Sequence, residues 1–166
     1  MTQQLTIGQK IVHCRYGAGT VVAVRKGGEG EEHERYYVLD IPSRDLKVHL
    51  PVDSAQKMAL RKLASMRKIR RALKTLSGEP ADLPRDYRER RALVSELMID
   101  GTVKSLAQII RDLCGLQSRK SMSTLESTML TDAKRRLAGE LALVEDIELS
   151  QAMQRIETAL QKDEAA

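Results

Sequence analysis

The chain of 166 residues carries four Tyr, no Phe and no Trp, so an interior built from its 42% hydrophobic residues has to be almost entirely aliphatic. Charged residues make up 31% with the two signs well mixed, which excludes a disordered chain, and no apolar run reaches the ~18 residues of a membrane-spanning helix. The net charge of +5 hides a gradient: residues 1–60 hold 8 Lys/Arg against 7 Asp/Glu, residues 61–136 hold 18 against 9, and residues 137–166 hold 2 against 7.

The first ten residues, MTQQLTIGQK, lack the basic, apolar and small-residue run of a secretory signal, so a cytoplasmic protein is expected. Up to about residue 53 the hydrophobic period is two. Ile11 to Cys14, Thr20 to Val24, Arg35 to Ile41 and Leu46 to Val52 are rich in β-branched and aromatic residues, and Leu46, Val48 and Leu50 alternate with Lys47 and His49. Turn-forming residues separate them: Tyr16-Gly17-Ala18-Gly19, then Gly27-Gly28-Glu29-Gly30, then Pro42-Ser43-Arg44-Asp45. This is the pattern of a small β-barrel.

From Ala55 onward the period becomes helical. Leu60, Leu63, Met66, Ile69, Leu73 and Leu76 predict a helix that ends before Ser77-Gly78-Glu79-Pro80, and a linker runs on through Pro84. A second helix starts near Asp86, buries Leu93, Val94, Leu97 and Met98, and stops at Asp100-Gly101. Thr102 caps a third, with Val103, Leu106, Ile110 and Leu113 as its seam. Ser123-Thr124-Leu125-Glu126 is a capping box for a fourth, and Leu149, Met153, Ile156 and Leu160 mark a fifth. The expected fold is α+β, a small closed β-barrel followed by an all-helical domain.

Signs of catalysis are absent from the motifs. His13, His33 and His49 all lie in the β region without a nucleophile or an H-E-x-x-H arrangement, so no catalytic residue is assigned. Cys14 and Cys114 form no CxxC, and adjacent His13 and Cys14 point to opposite faces of a strand, so no metal, disulfide or cofactor is expected. Gly27 to Gly30 lack the Lys-Ser/Thr and following helix of a phosphate cradle and read as a hairpin tip.

Basic residues are the stronger signal. Arg61, Lys62, Arg67, Lys68, Arg70, Arg71 and Lys74 place seven cations and no anion on one predicted helix, which reads equally as a solvated face or a phosphate-binding one. Arg85, Arg88, Arg90 and Arg91 gather at a helix start, where backbone amides add to the attraction for phosphates, and Lys134-Arg135-Arg136 interrupt a later helix. Tyr87 is the helical region's one aromatic, which excludes a base-stacking single-strand binder and favours salt-sensitive contacts to duplex backbone. The near-neutral barrel suits strand pairing with a partner, or simple packing on the helices.

Several segments in order resemble the CarD/CdnL family of bacterial regulators that bind RNA polymerase. They are Ile7 to His13, Tyr16 to Val21, Tyr36 to Leu39, Asp45 to Val52, Tyr87 to Arg91, Ile109 to Leu113, Met122 to Leu130 and Ala138 to Leu143. The resemblance implies three parts: a Tudor-like polymerase-interaction domain over residues 1–53, a basic helix and linker over 54–84, and a helical DNA-binding domain over 85–166. The implied partners are the polymerase β subunit and promoter duplex DNA near the upstream edge of the melted bubble, with no membrane and no small-molecule substrate. The implied outcome is a stabilised open promoter complex, without enzymatic activity.

Carried over by position, the resemblance places polymerase contacts at Arg25, Gly27, Lys47 and His49. It places DNA contacts at Asp86, Tyr87, Arg88, Arg91 and Lys134. The family usually has a Trp wedge where this chain has Asp86, so the wedge is either Tyr87 or missing, and Ser127 replaces an often basic position. The same features also fit a non-enzymatic protein-interaction adaptor or an RNA-binding protein that has lost the wedge function.

Overall fold

The β-branched runs of the first third become strands β1 (Lys10–His13), β2 (Gly17–Lys26), β3 (Arg35–Ile41) and β4 (Leu46–Pro51), joined by a short β5 (Leu60–Arg61). The computed structural model describes residues 4–57 and 60–161 and divides into two units, Met1–Leu63 and Ala64–Ala166. All the pairings are antiparallel in the order β4-β3-β2-β1-β5. Leu5, Ile11, Val21, Tyr37, Leu39, Ile41, Leu50 and Ala55 fill the core of this Tudor-like module. Tyr37 brings an aromatic ring into that core and satisfies its own hydroxyl, which accepts from Leu5 N at 3.2 Å.

Two local expectations are overturned here. Gly17-Ala18-Gly19 belong to β2, not to a turn, and pair with His13, Val12 and Ile11. The glycine signal reflects close approach: a Cβ on Gly19 would lie 2.5 Å from the Asp40 carbonyl oxygen. The turn itself is Cys14 to Tyr16, closed by His13, whose Nδ1 accepts from Arg15 N at 3.1 Å and from Tyr16 N at 3.4 Å.

The second correction concerns the helix expected from Ala55. Residues 52–57 form a 3-10 turn, 58–59 lie outside the described residues, and Leu60 and Arg61 pair with His13 and Val12. Leu60 packs on the barrel core, so backbone pairing to the open edge of β1 prevails over a three-residue spacing too short to specify a helix. The helix begins eleven residues later than expected, at Met66, behind Ser65, whose hydroxyl accepts from Lys68 N at 3.2 Å.

The second unit holds α1 (Met66–Leu76), α2 (Tyr87–Asp100), α3 (Val103–Arg119), α4 (Thr124–Glu145) and α5 (Leu149–Gln161). Helix α3 is central, with Leu106, Ile109, Ile110 and Leu113 buried, and α1, α2 and α4 pack on it while α5 packs on α4 and α1. The core is aliphatic throughout, as the composition requires. The expected caps are present. Thr102 accepts from Ser105 N, and Ser123 and Glu126 complete a reciprocal capping box.

The linker after α1 is docked, not loose. Ala81 N donates to Asp112 Oδ1 at 2.9 Å, and Pro80 lies over Gly115 so closely that a Cβ there would sit 2.4 Å from the proline Cβ. Exchange of a helical Gly for Ala ordinarily gains about 1 kcal/mol. Gly115→Ala should instead lower the thermal midpoint, because relieving the clash with a rigid ring costs about 1–3 kcal/mol. An unchanged or higher midpoint would show that the linker moves aside freely.

Candidate functional site

On the barrel, β4 is an edge strand, with Leu50 buried and Lys47 and His49 exposed on the other face. A register shift in β2 between Val21 and Ala23 sets Arg25 opposite Tyr36. From there Arg25 Nε donates to His49 Nδ1 at 2.6 Å, its Nη1 and Nη2 donate to Glu31 at 2.8 and 3.1 Å, and its guanidinium carbon lies 4.3 Å from the Tyr36 ring centroid. Two expected polymerase contacts, Arg25 and His49, are thus hydrogen-bonded neighbours, with Lys47 two residues along the strand. Gly27 closes the hairpin base: its N–H donates to Glu34 O at 2.8 Å, and a Cβ there would lie 2.0 Å from the His33 carbonyl oxygen.

Glu31 and Tyr36 complete this cluster and were not expected. The β2–β3 register would have revealed Tyr36, whereas Glu31 sits in a glycine-rich loop whose path carries no periodic signal. The Arg25 hydrogen bond, and then the Gly28 N–H, hold the Glu31 carboxyl below its usual range. The Glu31 carboxylate in turn raises the Arg25 guanidinium above its ordinary value.

In the helical unit the structure sorts the cations into two sets. Arg90 points inward along the face of Val94. Its Nε donates to Glu126 Oε1, and its Nη1 reaches the carbonyls of Pro84 and Arg85 at 3.1 and 3.3 Å. Burial pushes the Glu126 carboxyl up, but hydrogen bonds from Arg90 and from the Ser123 amide and hydroxyl outweigh it and hold the group below its usual value. Lys134 donates to Glu157 of α5 at 2.8 Å. Arg136 is buried and caps α2, donating to Met98 O at 3.1 Å.

The second set is exposed and makes no side-chain hydrogen bond or ion pair among the described residues. It includes Arg85, Arg88 and Arg91 at the start of α2, where 88 and 91 are neighbours one turn apart. Asp86 is the N-cap, accepting from Arg88 N at 2.8 Å and Glu89 N at 3.1 Å, so those two amides are already satisfied. Tyr87 is 39% exposed, with the Arg90 guanidinium 5.8 Å from its ring centroid. Arg67, Lys68, Arg70, Arg71 and Lys74 on α1, and Lys104 on α3, are also exposed and unpaired.

Among the described residues no group of three His, Cys, Asp or Glu could hold a metal ion, and no helix is long and apolar enough to cross a membrane. The cleft of about 420 Å³ between linker residues 80–85 and α3 contains no histidine or cysteine. His33 instead faces Asp53 at 4.0 Å on the barrel.

Residues 5–64 match the family model of the CarD-like/TRCF RID domain, and residues 71–157 match that of the CarD C-terminal domain. The chain belongs to the CarD family of transcription regulators. The first match ends beside the last residue of the barrel unit, and the second spans α2 to α4 entire. A relative from Bacillus subtilis, bearing the name "Putative transcription factor YdeB", is 23% identical over 141 residues, covering 85% of this chain and 92% of that protein.

Proposed function

We propose that this CarD-family protein is a non-enzymatic bridge between RNA polymerase and promoter DNA that stabilises the open promoter complex. The exposed edge of β4, with Lys47, His49 and the Arg25 shoulder, docks on the polymerase β subunit, where an edge strand suits backbone pairing. Arg88 and Arg91 meet the phosphates of duplex DNA near the upstream bubble edge, and Tyr87 is the ring available to face a base step. The observation that carries this reading is the sorting of the cations, which leaves Arg88 and Arg91 exposed and unpaired while Arg90, Lys134 and Arg136 hold the domain together.

Lys134 and Asp86 then serve DNA binding indirectly, the one through Glu157 and the other by starting α2. Because Asp86 already accepts from the Arg88 and Glu89 amides, the grip on phosphates rests mainly on side chains. Each of the two contacts raises the effective concentration of the other, and preferential binding of the melted state shifts the equilibrium toward it.

Paired substitution Lys47→Glu with His49→Glu separates the two contacts. Both side chains are exposed, so the variant should fold, lose capture by polymerase and keep its affinity for duplex DNA. Undiminished capture would place the polymerase contact elsewhere on the chain.

A further inference from the structure

We propose that the outward face of α1, together with Lys104 of α3, is a second surface for duplex DNA, gripping backbone phosphates without reading bases. It goes beyond the contact at Arg88 and Arg91 and does not depend on it. Helix α1 presents Arg67, Lys68, Arg70, Arg71 and Lys74 to solvent and contains no acidic residue. Lys68, Arg71 and Lys74 rim a groove of about 610 Å³ whose other wall is Thr102, Val103 and Lys104 at the start of α3.

Charge density identifies the occupant. From Arg67 to Lys74 the helix advances about 10 Å, so its five cations stand about 2.6 Å apart along the axis. Duplex DNA carries a phosphate about every 1.7 Å of its own axis. Ala72 and Val103 at the base of the groove are buried beneath the charged rim, so an incoming partner meets the cations first.

The start of α3 is not itself the anion site. Asp100 accepts there from the Thr102 hydroxyl at 2.7 Å and the Ser105 hydroxyl at 2.5 Å, so phosphates rest on the α1 side chains and Lys104. Helix α2 separates this groove from Arg88 by about 20 Å of its length. The two surfaces are therefore separately mutable.

Binding of the full chain to a mixed-sequence duplex, followed by fluorescence anisotropy across a salt series, tests the proposal. In the triple variant Arg70→Gln, Arg71→Gln, Lys74→Gln the slope of log affinity against log salt should flatten by about 0.9 per lost contact, about 2.7 in all, on any sequence. Its thermal midpoint should hold or rise, since like charges at three- and four-residue spacing are relieved. An unchanged slope in the folded variant overturns the proposal, as does tighter wild-type binding to polyglutamate than to duplex, which would make α1 a surface for acidic protein. If only Arg88→Gln with Arg91→Gln weakens binding, the α1 surface falls and the proposed function stands. If only the α1 variant weakens it, the α1 surface stands and the α2 contact falls.

Discussion

Removing the Glu126 carboxylate should destabilise the helical domain by about 3–5 kcal/mol, the usual consequence of leaving one partner of a buried ion pair alone. In Glu126→Ala the Arg90 guanidinium, at 12% side-chain exposure, loses its only carboxylate partner among the described residues and keeps just the Pro84 and Arg85 carbonyls, and the Ser123 amide and hydroxyl lose their acceptor. The linker, α2 and α4 are tied at this point, so the loss should appear in a single thermal transition of that domain. A companion double variant, Arg90→Met with Glu126→Leu, should recover most of the stability, because the penalty lies in the unpaired charge.

The pH dependence has a fixed sign. Glu126 is held below the carboxyl value of about 4.3 that it would have unfolded, so its contribution is full above that pH and disappears as the pH falls through the lower, folded value. The stability gap between the wild type and Glu126→Gln should therefore be widest near neutrality and close in acid. A gap of constant size would mean that the carboxylate charge has no part in it.

The second large effect concerns function. Arg88→Glu with Arg91→Glu should bring open-complex lifetime down to that of polymerase alone and weaken duplex binding by on the order of 100-fold in ordinary salt, as expected for replacing two phosphate contacts by repulsion. Neither arginine side chain has a hydrogen-bond or ion-pair partner among the described residues, so the thermal midpoint should move by less than about 0.5 kcal/mol equivalent. A folded variant with an undiminished open-complex lifetime would remove these two residues from the mechanism.

What the sequence disclosed followed the range of the forces involved. The caps at Asp86, Thr102 and Ser123 were legible because a capping hydrogen bond spans two or three residues. Strand β5 was not, because its partner β1 lies nearly fifty residues away and only that edge makes Leu60 and Arg61 extended. The inward turn of Arg90 was readable in principle: it stands four residues before Val94 and seven before Leu97, on the apolar stripe of its helix. The engagement of Lys134 was not, since Glu157 reaches it from another helix. Likewise Arg25 and His49 could be placed on one module by their positions, but their hydrogen bond depends on the bulge in β2.

Of the described residues of α2, Val94 alone is buried, and Ile99 is 78% exposed. Its position is set at one end by Arg90 on Glu126 and at the other by Arg136 beneath Met98 and Gly101. A strut pinned this way can have its outer side rewritten without renegotiating the interior. The exposed positions of α2 can therefore change their charge without loss of the fold, which separates the chemistry of this surface from the stability of the domain.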